Sequence, residues 1–266
     1  VNTLHPPSNS SLLPRRPRLA IVCDPNQRRL PLTQTDNAIQ PGELATAHLA
    51  DACLRVRVPL RCAPHTMRPA VSGMKMSGRA RPVRHVGSVD VFLEAIEQAS
   101  SGDILVVDND GRFDESCIGD LVVREAQGAG LGGIVIWGLH RDSLEVSEIA
   151  LPLFSLGLTS AGPQRLDPRP ADVFDTARIG PHLVTSEDLV VADGDGVVFL
   201  PQQHAQAIIA AAATIRDVER DQAIKMLNGQ SLRDQLRFRE FLARRRSNPQ
   251  HSFRQHLREI GGAIEE

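Results

Sequence analysis

Lysine is nearly missing from this chain: Lys75 and Lys225 are the two among 266 residues. An imine-forming enzyme needs a lysine amine as its nucleophile. Lys75 lies in a polar, Met-flanked stretch and Lys225 on a helix-surface pattern, so neither suits that role. Cysteine is sparse too. Cys23, Cys53, Cys62 and Cys117 show no C-x-x-C spacing, and a chain of this length needs no disulfide staples, so reduced thiols in a cytoplasmic protein are expected. No window approaches the roughly 20 apolar residues of a membrane helix. The apolar run behind the twin arginines of "PRRPRLAIVC" spans only Leu19 to Cys23 before Asp24-Pro25, too short for a secretory signal. An excess of one charge is also lacking. Thirty basic and 32 acidic residues leave a formal net charge of -2, so no global field draws the chain to nucleic acid or an anionic membrane, and neither partner is expected. With 41% hydrophobic residues, a packed globular protein is what remains.

Residues 1–40 are rich in Pro, Ser, Asn, Gln and Arg without a sustained period, which reads as a poorly ordered arm. From Pro41 the texture changes. "GELATAHLADACLRV" sets Ala45, Leu49, Ala52 and Cys53 at helical spacing. "SGMKMSGRARPVRHVG" alternates small, polar and apolar residues, as strands at a sheet edge do. "SVDVFLEAIEQASSGD" reads as a helix capped near Ser88, with Val91, Leu93, Ile96 and Ala99 available for packing. "ILVVD" (104–108) and "IVIW" (134–137) are short continuous apolar runs, the mark of strands covered on both faces. A helix around 117–127 separates them, so the three form a crossover unit of a parallel sheet. A helix around 143–150, a strand in "LPLFSLG" and a hairpin in "DLVVADGDGVVFLP" follow, making the sheet mixed. Beyond residue 201 the pattern is helical: Ile208, Ala212, Ile215 and Val218 form a stripe, Asn228-Gly229 stops it, and Ser231 with Asp234 opens another helix. The expectation is an α/β domain over 41–201 with a helical extension over 202–266.

Several tempting motifs reduce to turns. The glycines of "GAGLGG" follow a helix and precede a strand, the wrong order for a dinucleotide loop. "DNDG" (108–111) lacks the later ligands of a calcium loop. Asp193 and Asp195 suit a hairpin turn facing water, and the Arg244-Arg245-Arg246 run, interrupted nearby by acids, suits a solvated or partner-binding face. "IWGLHRDSLEVSEIA" (136–150) is different. Asp142 with Glu145 resembles a capping box for the next helix, but Arg141 would sit at the unfavourable end of that helix's dipole unless an anion shares the site. "CIGDLVVREA" offers one: Gly119 allows close approach at a helix start, leaving N–H groups near Leu121 and Val122 free. If strands 104–108 and 134–137 are neighbours, both turns open at one sheet edge. One carboxylate could then lie between Arg141 and the Gly119–Val122 turn, with Asp142 and Asp120 offering oxygens to a hard divalent cation.

At these residues the chain resembles the regulator-of-ribonuclease-activity-A-like (RraA-like) proteins, also called the class II 4-hydroxy-4-methyl-2-oxoglutarate aldolase family. The matching pieces run in family order from "ATAHLADA" (45–52) through "SGRARPV", "SSGDILVVD", "GDLV" (119–122), "GGIVIWGLHRD" (132–142) and "LPLFSLG" to "DLVVADGDGVVFLP" (188–201). The resemblance implies a three-layer β/β/α swivelling domain assembled as a trimer or dimer of trimers, with sites at subunit boundaries. It implies that Gly119, Asp120, Leu121 and Val122 bind a pyruvyl group, that Arg141 holds the same group, and that Asp142 binds Mg2+ or Mn2+. Asp120 would orient metal-bound water. The implied reaction is retro-aldol cleavage of a 4-hydroxy-2-oxo acid, or decarboxylation of oxaloacetate, through a pyruvate enolate. The near-absence of lysine agrees with a metal route over a Schiff base. Other members act instead as protein ligands that inhibit a ribonuclease. Trp137, Leu139 and His140 depart from the family pattern, and His140 reads as positional more than catalytic.

Overall fold

The computed structural model describes residues 40–261; the N-terminal arm read from the sequence lies outside these but for Gln40. A 3-10 turn, Pro41–Glu43, leads into helix α1 (Thr46–Arg55), strands β1 (Arg68–Pro69) and β2 (Met76–Arg84), and helix α2 (Asp90–Glu97). Next come β3 (Ile104–Asp108), β4 (Ser116–Ile118), α3 (Asp120–Gly128), β5 (Gly133–Trp137), β6 (Leu139–His140), α4 (Ser143–Ile149) and β7 (Leu153–Ser155). Two hairpins follow, β8 (Thr176–Ile179) with β9 (His182–Thr185) and β10 (Asp188–Asp193) with β11 (Gly196–Pro201). Helices α5 (Gln202–Leu227), α6 (Leu232–Gln235), α7 (Phe238–Ser247) and α8 (Phe253–Ile260) complete the described chain.

Seven strands form one mixed sheet in the order β1-β7-β5-β3-β2-β10-β11. β3 and β5 pair in parallel with α3 between them in sequence, the crossover that their uninterrupted apolar runs predict. β2 stands inside the sheet, between β3 and β10, and not at its edge as its polar texture suggests. Its arginines are accommodated because long stems carry the charged heads away from the core; Arg81 meets Asp103 at 2.9 Å.

Both sheet faces are covered. On one, α2, α3 and α4 pack Phe92, Val123 and Val146 over Leu105, Val107 and Ile136. On the other, Ala177, Ile179 and Val184 of the β8–β9 hairpin pack over Ile104, Val106 and Val135. The layers are therefore β/β/α, and in α2 Leu93 faces solvent while Phe92 takes the core position. The first half of α5 packs Ile208, Ala212 and Ile215 with Leu49 and Ala52 of α1 over β10 and β11.

Asp193 corrects the reading of a water-facing turn. It is buried, and its two carboxylate oxygens take the Thr46 N–H at 2.8 Å and the Thr46 hydroxyl at 2.6 Å, fastening the start of α1 to the β10–β11 hairpin. Burial acts to raise its pKa, but these bonds and the Asp195 N–H outweigh it and hold the carboxyl below its ordinary value. The stabilisation is thus complete above the usual aspartate pKa and is lost as pH falls through the lower folded value. Asp193→Ala strands the Thr46 donors, and chemical denaturation at pH 7 is expected to show a loss of about 1–3 kcal/mol. That difference should shrink when the comparison is repeated in acid.

Candidate active site

The short strands β4 and β6 pair in parallel outside the main sheet, an arrangement that three-residue and two-residue segments do not announce in a sequence. Parallel pairing puts both carboxyl ends on the same side. Gly119 follows β4 and caps α3; Arg141 and Asp142 follow β6 and precede α4. The Arg141 N–H donates to the Ile118 carbonyl at 3.0 Å, tying the two exits together. The site therefore opens from this two-stranded ladder, and not directly from β3 and β5 as the sequence pattern suggests.

Asp142 takes a left-handed conformation, φ 58° and ψ 49°, which costs a non-glycine residue of order 1 kcal/mol. Its carbonyl accepts the first bond of α4, from Val146, but its side chain makes no cap bond to that helix. The capping-box reading of Asp142 and Glu145 is overturned. The carboxylate turns instead to α3, where Oδ2 accepts the Asp120 N–H at 3.3 Å and lies 3.4 Å from Arg141 Nε. A Cβ built on Gly119 would overlap Asp142 Oδ2 and come within 3.2 Å of Arg141 Nε. Glycine is required there by proximity, since its φ of -122° is open to any residue.

Gly119, Asp120, Leu121, Val122, Arg141 and Asp142 line one cavity of about 230 Å³. The Leu121 and Val122 N–H groups, in the first turn of α3, have no protein acceptor among the described residues. They lie beside a half-exposed guanidinium, which is a setting for a carboxylate. The structure adds wall residues that no local motif signals: Ser88 and His85 from the turn after β2, Cys117 from β4, and Pro163 from the segment before β8. Burial pushes the Cys117 thiol far up, so it is no nucleophile at neutral pH. His140 points elsewhere: it is buried, with Nδ1 2.8 Å from Ser155 Oγ, and burial lowers its pKa.

Among the described residues no three His, Cys, Asp or Glu side chains converge as a metal cage. The carboxylate donors at the cavity are those of Asp142 and Asp120. That set fits a hard divalent cation such as Mg2+, which binds through one or two carboxylates and keeps several waters. It does not fit a closed structural zinc site. A second cavity, about 450 Å³, lies across His85 and is lined by Arg84, Arg112, Arg165 and Arg178 against Asp108, Asp110 and Asp167. Its Asp108 is already engaged by the N–H groups of Asp110 and Arg178.

The model of one family, described as RraA-like, Aldolase/RraA, matches residues 46–199. The chain belongs to the RraA-like family. A relative from Halalkalibacterium halodurans, provisionally named a 4-hydroxy-4-methyl-2-oxoglutarate aldolase, is 30% identical over 149 residues, 55% of this chain and 70% of the relative. The crystal structure of an uncharacterized protein from Pseudomonas syringae pv. tomato superposes with a TM-score of 0.62 at 30% identity, covering 72% of this chain and 92% of that one. Streptomyces coelicolor RraAS2, described as an unusual member of the RNase ES inhibitor RraA protein family, superposes with a TM-score of 0.60 at 28% identity, covering 68% and 91%. The RraA-like match ends before α5, so helices α5 to α8 lie outside it. Among the described residues no helix is long and apolar enough to cross a membrane.

Proposed function

We propose that this RraA-like chain is a divalent-metal-dependent lyase that releases pyruvate from 4-hydroxy-2-oxo acids of the 4-hydroxy-4-methyl-2-oxoglutarate type, and that also decarboxylates oxaloacetate. The observation that carries the reading is the convergence of Arg141 and Asp142 on the first turn of α3, where unpartnered N–H groups face one cavity. The substrate's carboxylate lies against the Leu121 and Val122 N–H groups and the Arg141 guanidinium. This fixes the 2-oxo group at Arg141, where negative charge grows as the C3–C4 bond breaks. Asp142, with Asp120 beside it, would hold Mg2+ or Mn2+, and that ion supplies electrophilic polarisation of the 2-oxo group when bound. Asp120 orients water at the same wall. Two relatives' names support the two halves of the family's repertoire, aldolase and ribonuclease inhibitor.

The second reading, a protein ligand that restrains a ribonuclease, is favoured by the likeness to RraAS2. Asp142→Ala separates the two. Under the lyase reading, pyruvate release in Mg2+ drops to the spontaneous rate while the thermal midpoint stays within a few degrees. A variant that releases pyruvate as the parent does would sink the lyase reading at this site.

A further inference from the structure

The turn after β2 sends His85 into the wall of the cavity that holds Gly119, Asp120, Arg141 and Asp142. Its side chain is 1% exposed, and the ring lies stacked on Phe92, with centroids 5.1 Å apart and planes inclined by 16°. Nδ1 is 2.8 Å from the side-chain oxygen of Asn109, which also receives Arg165 Nη2 at 2.9 Å. A guanidinium only donates, so the Asn109 atom is an acceptor, and Nδ1 is the ring nitrogen that carries hydrogen. In the neutral ring the lone pair then resides on Nε2. Among the described residues no protein atom hydrogen-bonds to Nε2. The stack and the Asn109 bond together fix the ring, and with it this unpartnered nitrogen, in the wall of the site.

We infer that His85 is the proton-transfer residue of this site. This rests on the lyase reading above. In the cleavage direction Nε2 accepts the proton of the substrate's 4-hydroxyl, that oxygen becomes the carbonyl of the departing fragment, and the C3–C4 electron pair passes into the enolate of pyruvate. The same proton then returns from Nε2 to C3, giving pyruvate and the neutral ring. Nothing is oxidised or reduced. The ring's charged surroundings are Glu115, with Oε1 3.7 Å from Nδ1, and Arg112 from the loop between β3 and β4, with Arg165 from the segment before β8; α2 contributes Phe92 and no charge. Burial is the main influence and lowers the pKa, which the Asn109 bond and Glu115 oppose and the two arginines reinforce. His85 is thus ready to accept a proton at pH 7.

Oxaloacetate supplies an internal control, because losing carbon dioxide requires no hydroxyl deprotonation. In His85→Gln, kcat for cleavage of 4-hydroxy-4-methyl-2-oxoglutarate is expected to fall ~10²–10⁴-fold with KM nearly constant. Decarboxylation falls far less, so the ratio of the two activities shifts by about 10²-fold or more. In the unaltered protein, kcat/KM for cleavage has an acid limb, displaced below the ordinary histidine range by burial of the ring, that decarboxylation lacks. Equal loss of both reactions in folded His85→Gln, cleavage at the parental rate, or the same acid limb for both substrates overturns the inference and leaves the lyase intact. Failure of the unaltered protein to act on either substrate overturns the lyase reading, and this inference with it.

Discussion

Replacing Arg141 by alanine is expected to lower kcat/KM for pyruvate release ~10²–10³-fold, the usual consequence of removing one donor aimed at a developing oxyanion. Arg141 is half-exposed and its ion pair with Asp142 is long, 3.4 Å, so the fold should scarcely notice the loss. Its role is set by the neighbours. The N–H groups of Leu121 and Val122 and the Arg141 guanidinium bring positive potential to the same cavity from two elements. Without a bound carboxylate that arrangement has only Asp142 and Asp120 to balance it. Arg141→Lys should recover little, because an ammonium cannot span a carboxylate and an adjacent oxo group as a planar fork does. Steady-state kinetics on both substrates, with calorimetric confirmation of an unchanged unfolding transition, would check this.

Gly119→Ala should be nearly as damaging to activity. The backbone at residue 119 accepts any side chain, and alanine would lower the entropy of the unfolded chain, so conformational strain gives no reason for loss. The added methyl group instead occupies the place of Asp142 Oδ2 and crowds Arg141 Nε. Asp142 must swing away from the Asp120 N–H, releasing the helix from its cap at a cost of ~1 kcal/mol. Both site residues then leave their working positions. The expected result is a shift of a few degrees in the melting midpoint with at least ~10²-fold loss of kcat/KM, since misplacement of about 1 Å is enough for that. Parental activity in Gly119→Ala would mean that the carboxylate position seen here is not the functional one.

The parts legible in the sequence are those set by local pattern. The continuous apolar runs of β3 and β5, the stripe of α5 and the turn of the β10–β11 hairpin each depend on residues close in the chain. The nearness of Gly119 to Arg141 and Asp142 was legible because each turn precedes a helix and lies downstream of one of the two apolar runs, β3 and β5, although the strands that directly precede them are β4 and β6. What was hidden depends on distant partners. β4 and β6 are too short to carry a period and exist because each supplies the other's hydrogen bonds. The β8–β9 hairpin lies in a stretch where turn residues outweigh any alternation, and it is held by the sheet face that it covers. Asp142 reads as a cap for the helix it precedes, yet its left-handed backbone aims the side chain at α3. His85 carries no motif at all. Its place follows from Phe92, Asn109 and Arg165, the last of them eighty residues further along the chain.

The most direct measurement is the time course of pyruvate release from oxaloacetate and from 4-hydroxy-4-methyl-2-oxoglutarate by the full chain, in Mg2+ and again after excess chelator. The account predicts release well above the spontaneous rate in Mg2+ for both substrates, its loss on chelation, and its return when Mg2+ is restored. Release from neither substrate by folded protein in Mg2+, or release that chelation leaves untouched, would contradict it.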